Sequence, residues 1–242
     1  LKLHRQGLLF SDQLSALERV CSKLELAEIR ISAAALEDWQ AAADELIELA
    51  ESALDYGALR SARQGYQLAS YLRWVHGHCG DALNDSLQGE RVTRGGSVRE
   101  QVVGRAEAAK CLALLERDLP QADAMIMEAE ALAKRQSISC AAIPTCLGIL
   151  RYYEGQWDLA TEHIQEARAM CKGQGDRVSE FLANEYLAIT DFERGDFQLA
   201  TRHTAAMQAI ASRLREGSEA PMAEAMGGLC RYALDGEAQG LD

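Results

Sequence analysis

Residues 147–160 read Leu147-Gly148-Ile149-Leu150-Arg151-Tyr152-Tyr153-Glu154-Gly155-Gln156-Trp157-Asp158-Leu159-Ala160, and 187–200 read Leu187-Ala188-Ile189-Thr190-Asp191-Phe192-Glu193-Arg194-Gly195-Asp196-Phe197-Gln198-Leu199-Ala200. Both phrases keep Leu, a small residue, an aromatic, Gly, a second aromatic and Ala at the same relative places. A spaced phrase that returns after about 40 residues marks stacked helical hairpins. Gly148 or Ala188 lets the two helices approach closely, and Gly155 or Gly195 supplies the backbone angles of a tight turn. The aromatic past the turn packs back across the hairpin. Ala160, Ile164 and Ala167 continue one helical face, as do Ala200, Thr204 and Met207.

Working outward, the pattern predicts helices near 98–117, 119–135, 138–154, 156–173, 176–194, 196–214 and 220–235. Turn residues taken at 117, 155, 195 and 236 step by 38, 40 and 41 residues. On the N-terminal side, Ser11-Asp12 reads as the cap of a helix through about Arg30. Further helices follow at 36–56, closed by Gly57, and at 58–75. His76-Gly77-His78-Cys79-Gly80-Asp81 and Arg94-Gly95-Gly96-Ser97 are loop signals, so 76–97 is expected as an insertion around a short helix at 81–89. This divides the chain into 1–75, an insertion at 76–97 and regular repeats over 98–242.

The phrase resembles the tetratricopeptide repeat family. The match is good at 143–172 and 183–212 and weaker at 105–134, where Arg117 replaces the turn glycine. It extends to 45–72 and to a last half-repeat with Gly228, Tyr232 and Gly236. The period exceeds the family's usual 34 residues. That is similar to the long repeats of bacterial signal-transduction ATPases and of the maltose-regulon activator. An array of HEAT type fits the period, but not the Gly-aromatic-Ala turn. The resemblance implies an all-α fold, a right-handed superhelix (α-solenoid) of helical hairpins with a concave binding groove.

Composition agrees with helices. Hydrophobic residues make up 48% and there are only 3 prolines. The formal charge of −12 offers no basic face for nucleic acid or an anionic membrane. No apolar run is long enough to span a bilayer, and no signal peptide is evident. Seven irregularly spaced cysteines read as small buried hydrophobes in a reducing cytoplasm. The chain begins at Leu1 and stops soon after Gly236, as a piece of a longer protein would.

Chemistry-bearing motifs are weak. His76, His78 and Cys79 are zinc-ligand types without a fourth partner at a metal-site spacing. Gly95-Gly96-Ser97 and Gly173-Gln174-Gly175 lack the Gly-Lys-Ser/Thr of a phosphate loop. Buried cysteines are poor nucleophiles, and Glu128 and Glu130 sit in a charge-rich helix. The expectation is therefore no enzyme and no cofactor. Seven acidic residues between Glu37 and Asp55 carry no balancing cation between Arg30 and Arg60. They await either a basic surface, such as Arg91, Arg94, Arg99 and Arg105, or water.

The family's groove positions, carried onto the matching helices, give Asp44, Ile47 and Glu51, then Glu107 and Cys111. Next come Thr145, Ile149 and Tyr152, and finally Glu185, Ile189 and Phe192. This mixed apolar and acidic set lacks the cationic clamp that holds a C-terminal carboxylate in chaperone-binding members. It implies a basic or amphipathic peptide, a partner helix or a small inducer, in a regulatory and signalling role. The alternative is a structural module that self-associates through 11–75.

Overall fold

Side-chain caps start six of the helices. The structure, a computed structural model, describes residues 14–32, 36–213 and 219–235. Ser15 and Glu18 form a reciprocal capping box: the Glu18 amide donates to Ser15 Oγ, and the Ser15 amide donates to the Glu18 carboxylate at 2.8 Å. The Ser11-Asp12 cap lies outside the described residues. Asp38, Ser97, Asp118, Asp176 and Asp196 each accept a backbone N–H three residues on, at 3.0–3.3 Å. Each such cap contributes about 1 kcal/mol.

Eleven helices result among the described residues. They are α1 (Ala16–Ser32), α2 (Trp39–Asp55), α3 (Leu59–Val75), α4 (Cys79–Thr93), α5 (Val98–Leu114), α6 (Leu119–Gln136), α7 (Ala142–Tyr153), α8 (Trp157–Gln174), α9 (Arg177–Glu193), α10 (Phe197–Ala211) and α11 (Glu219–Asp235). Each packs mainly on its neighbours in sequence, as in a helical-repeat array. Contacts between alternate helices run through the odd-numbered set: α1 to α3, then α5, α7, α9 and α11. The odd helices thus form one continuous row.

Left-handed backbone fixes the phase. Gly77, Glu116, Gly155 and Gly195 have φ of 81°, 48°, 72° and 79°, at intervals of 39, 39 and 40 residues. The turn between α5 and α6 is therefore centred on Glu116, not Arg117. Counting back, the hairpin at Gly77 pairs α3 with α4, and Gly57 (φ 69°) joins two successive hairpins. Residues 79–93, expected as a short helix in an insertion, form a full-length helix packed on α3 and α5.

Close packing comes from small residues. A Cβ on Gly65 would stand 2.9 Å from both the Ala50 Cβ and the Leu46 carbonyl oxygen, so α2 and α3 meet at backbone distance. A Cβ on Gly148 would stand 2.5 Å from two side-chain carbons of Ile164. Ala160, Ile164 and Ala167 are buried as the phrase predicts, as are Ala200, Thr204 and Met207. Phe197 reaches back to Phe192 with ring centres 5.2 Å apart.

Polar links stiffen two places. The Arg73 guanidinium donates to both oxygens of Asp85 at 2.7 and 2.9 Å and to Asp44 at 3.1 Å, tying α2, α3 and α4 together. Burial pushes the Asp85 carboxyl up to about 6, against the pull of Arg73. Between α8, α9 and α10, Arg168 reaches Asn184 at 3.4 Å and His203 Nδ1 at 3.3 Å, while His203 Nε2 faces Asp191 at 3.4 Å. The acidic α2 is answered by Arg73 at Asp44. The arginines at 94 and 105 pair instead with Glu90 and Glu128.

Candidate functional site

The row of odd helices bends far enough to bring α11 beside α3. In α3 the Tyr71 hydroxyl donates to Glu219 Oε1 in α11 at 2.8 Å, across 148 residues of sequence. The space so enclosed is a cavity of about 130 Å³ between α3, α5, α9 and α11, touched also by Ser86 of α4. Helical spacing brings its side chains inward: Tyr71 and Trp74 from α3, Glu107, Lys110 and Cys111 from α5, Phe181, Leu182 and Glu185 from α9, and Glu219 and Met222 from α11.

Its electrostatics are uneven. Lys110 Nζ lies 2.5 Å from Glu107, one turn away on the same helix. Burial acts to lower the Lys110 ammonium, but the charge and hydrogen bond of Glu107 hold it above the ordinary lysine range. Glu219 is only 5% exposed, and its Oε2 meets no donor among the described residues. Glu185 has no hydrogen-bond or ion-pair partner among them. Its carboxyl is pushed up to about 7, first by burial and then by the Glu219 charge. The Tyr71 hydroxyl is raised by burial and by Glu219, so it stays a neutral donor. Burial also raises the Cys111 thiol, which leaves it a poor nucleophile. The arrangement can hold a proton on Glu185 near neutrality and can accept positive charge.

A second cavity, of about 230 Å³, adjoins the first through Glu107 and Lys110 and is bounded by Arg60, Arg63, Arg99 and Thr145. Arg63 is bound to Glu100 at 3.0 Å. The second cavity thus draws arginines from α3 and α5, while the first draws carboxylates from α5, α9 and α11.

Of the groove residues expected from sequence, Glu107, Cys111 and Glu185 meet in the cavity between α3, α5, α9 and α11, and Thr145 lines the adjoining one. Thr145 is buried, with its hydroxyl bound to the Ala141 carbonyl at 2.8 Å. Ile149 is fully buried in the core, and Ile189 and Phe192 pack against the core of α9–α11. Tyr152 stands edge-on to Tyr153 and Tyr186. Asp44 and Glu51 are exposed on α2, outside the odd row, and Ile47 packs on the core there. Tyr71, Trp74, Lys110, Glu219 and Met222 are cavity residues that the sequence reading missed. Stepping the repeat back from 155 through 116 to 77 places α3 in the odd row, the helix that carries the first two.

His76 and His78 serve packing: Trp39 stacks on His76 at 4.3 Å with rings 10° apart and touches His78 at 4.9 Å. Among the described residues no His, Cys, Asp or Glu group is arranged to hold a metal ion, and no helix is long and apolar enough to cross a membrane. All seven cysteines are free thiols. No protein-family model matches the chain, and comparison with curated proteins finds no match.

Proposed function

We propose that this chain is the binding and sensing arm of a regulatory protein. It is a right-handed superhelix of tetratricopeptide type whose inner face holds a ligand and reports its presence to other parts of a signalling assembly. The observation that carries this reading is the meeting of four distant helices around one cavity that contains a buried, half-satisfied carboxylate. Buried polar groups without partners are rare and call for a reason, and an apolar cavity with a few convergent polar groups is the usual form of a ligand site. A ligand seated there touches α3, α5, α9 and α11 at once. Occupancy would then change how firmly α3 and α11 are joined, and with it the curvature of the array.

A room of about 130 Å³ suits a side chain or a small molecule. A partner helix, about 10 Å across, needs more. The test uses methionine methyl resonances, because Met222 lines the cavity and Met127 is exposed elsewhere on α6. In a fragment screen, hits are expected to shift the Met222 methyl and leave Met127 in place. Hits that shift only Met127, or no methyl at all, would overturn the assignment.

A further inference from the structure

We infer that the cavity receives an organic cation, an ammonium or guanidinium on a short apolar stem, with its charge between Glu219 and Glu185 and its stem against Trp74, Phe181 and Met222. This rests on the cavity being a ligand site and adds the chemistry of the ligand.

Charge balance in a small space selects the guest. Three carboxylates line the cavity, Glu107, Glu185 and Glu219, with one cation, Lys110. Lys110 is already engaged by Glu107 at 2.5 Å. Among the described residues Glu219 receives a single hydrogen bond, from Tyr71, and its second oxygen is buried without a donor. A carboxylate removed from water in this way is unfavourable unless something positive or N–H-bearing meets it. Glu185 feels the same shortage, as its carboxyl, pushed up to about 7 by burial and by Glu219, records. A guest with N–H donors and positive charge satisfies both groups. An anion would add repulsion, and an apolar guest would leave Glu219 unsatisfied. The remaining wall is apolar, and the room is of the order of cavities that accept one benzene-sized guest. A free alkylamine and a lysine side chain presented by a peptide share this chemistry.

The full chain is titrated calorimetrically at pH 8 with butylamine, with butane-1,4-diamine and with an acetylated, amidated pentapeptide carrying one central lysine. Butan-1-ol and butyrate are the controls. At least one ammonium probe is expected to bind tenfold or more tightly than either control. A diamine preference identifies a free amine, and a pentapeptide preference identifies a side chain. Affinity should fall about tenfold or more from pH 8 to pH 5.5, as Glu185 takes up its proton. Glu219→Gln and Glu185→Gln should each weaken binding at least tenfold, with Glu224→Gln, on the exposed face of α11, unchanged. Glu185→Gln leaves the Tyr71–Glu219 bond intact, so it remains informative if Glu219→Gln melts early. Equal binding of butan-1-ol, or no binding by any ammonium probe, overturns the inference. If other fragments still shift Met222, only the ligand class fails. If none does, the site itself fails.

Discussion

Two glycines in adjacent helices should respond oppositely to one methyl group. In α7, a Cβ on Gly148 would stand 2.5 Å from Cδ1 and Cγ1 of Ile164 and 3.2 Å from the Ala160 carbonyl oxygen. Ile164 is 1% exposed, so it has little room to turn away. Overpacking of this kind costs about 1–3 kcal/mol. Ala for Gly within a helix gives back about 0.8–1.0 kcal/mol. With two carbons so close, the upper part of the range applies, and Gly148→Ala should lose about 1–2 kcal/mol net. In α8, a Cβ on Gly173 would meet nothing within 4 Å, so Gly173→Ala should gain about 0.5 kcal/mol. Ile164→Ala alone should lose about 2–5 kcal/mol. The double variant with Gly148→Ala should lose less than the sum by about 1 kcal/mol or more, since the new methyl enters the space vacated. Urea unfolding followed by far-UV circular dichroism reads all four, with the slope checked for array segments unfolding separately. A Gly148→Ala variant as stable as Gly173→Ala would refute the close α7–α8 contact.

Other expectations follow from burial and backbone. Glu185, held near 7 rather than its ordinary 4.5, favours the protonated form in the folded state, so its stabilisation is full below pH 4.5 and lost as pH rises through 7. Glu185→Gln should therefore melt higher than the parent at pH 8, and a carboxyl carbon titrating near 4.5 would contradict this. His203 is lowered to about 4, by burial first and then by Arg168, so its contribution is present above pH 6.5 and lost as pH falls through 4. Its ring-carbon NMR signal should titrate near 4, and a midpoint near 6.5 would count against the polar cluster with Arg168, Asn184 and Asp191. Burial pushes Cys146 up to about 12 and Cys171 to about 11. Native alkylation followed by mass spectrometry should spare both, while half-buried Cys21 and Cys79 react first. Gly155→Ala and Gly195→Ala should each cost about 1–2 kcal/mol, because both glycines hold positive φ.

The repeated phrase made the hairpins from 98 onward legible, down to the buried faces of α8 and α10, because Gly, aromatic and Ala each have one structural task there. Of helix α4 only the stretch 81–89 was legible, and as part of an insertion. Its buried side is Ala82, Asp85, Ser86, Gly89, Glu90 and Thr93, small or polar residues held by Arg73, Arg94 and close contacts, so no apolar stripe betrays it. The His-Gly-His punctuation around Gly77 then reads as a loop, although it is one more hairpin turn. Reading it so assigns the groove positions to α2, with Asp44 and Glu51, whereas the cavity is lined from α3 by Tyr71 and Trp74. Glu107 and Glu185 both line the cavity, on helices whose phase the repeated phrase predicts. The approach of α11 to α3 joins residues 148 apart in sequence, which no local pattern records.

The account turns on that approach, and native-state hydrogen exchange tests it in one variant. Tyr71→Phe removes the hydroxyl that bonds Glu219, a charge-assisted contact worth about 1.5–3 kcal/mol. If the row closes on itself, amide exchange across Glu219–Asp235 in α11 should quicken about tenfold or more, although the substitution lies in α3, while α7 keeps its protection. Exchange that changes only in α3 and its neighbours α2 and α4, with α11 as slow as in the parent, would contradict the closed cavity.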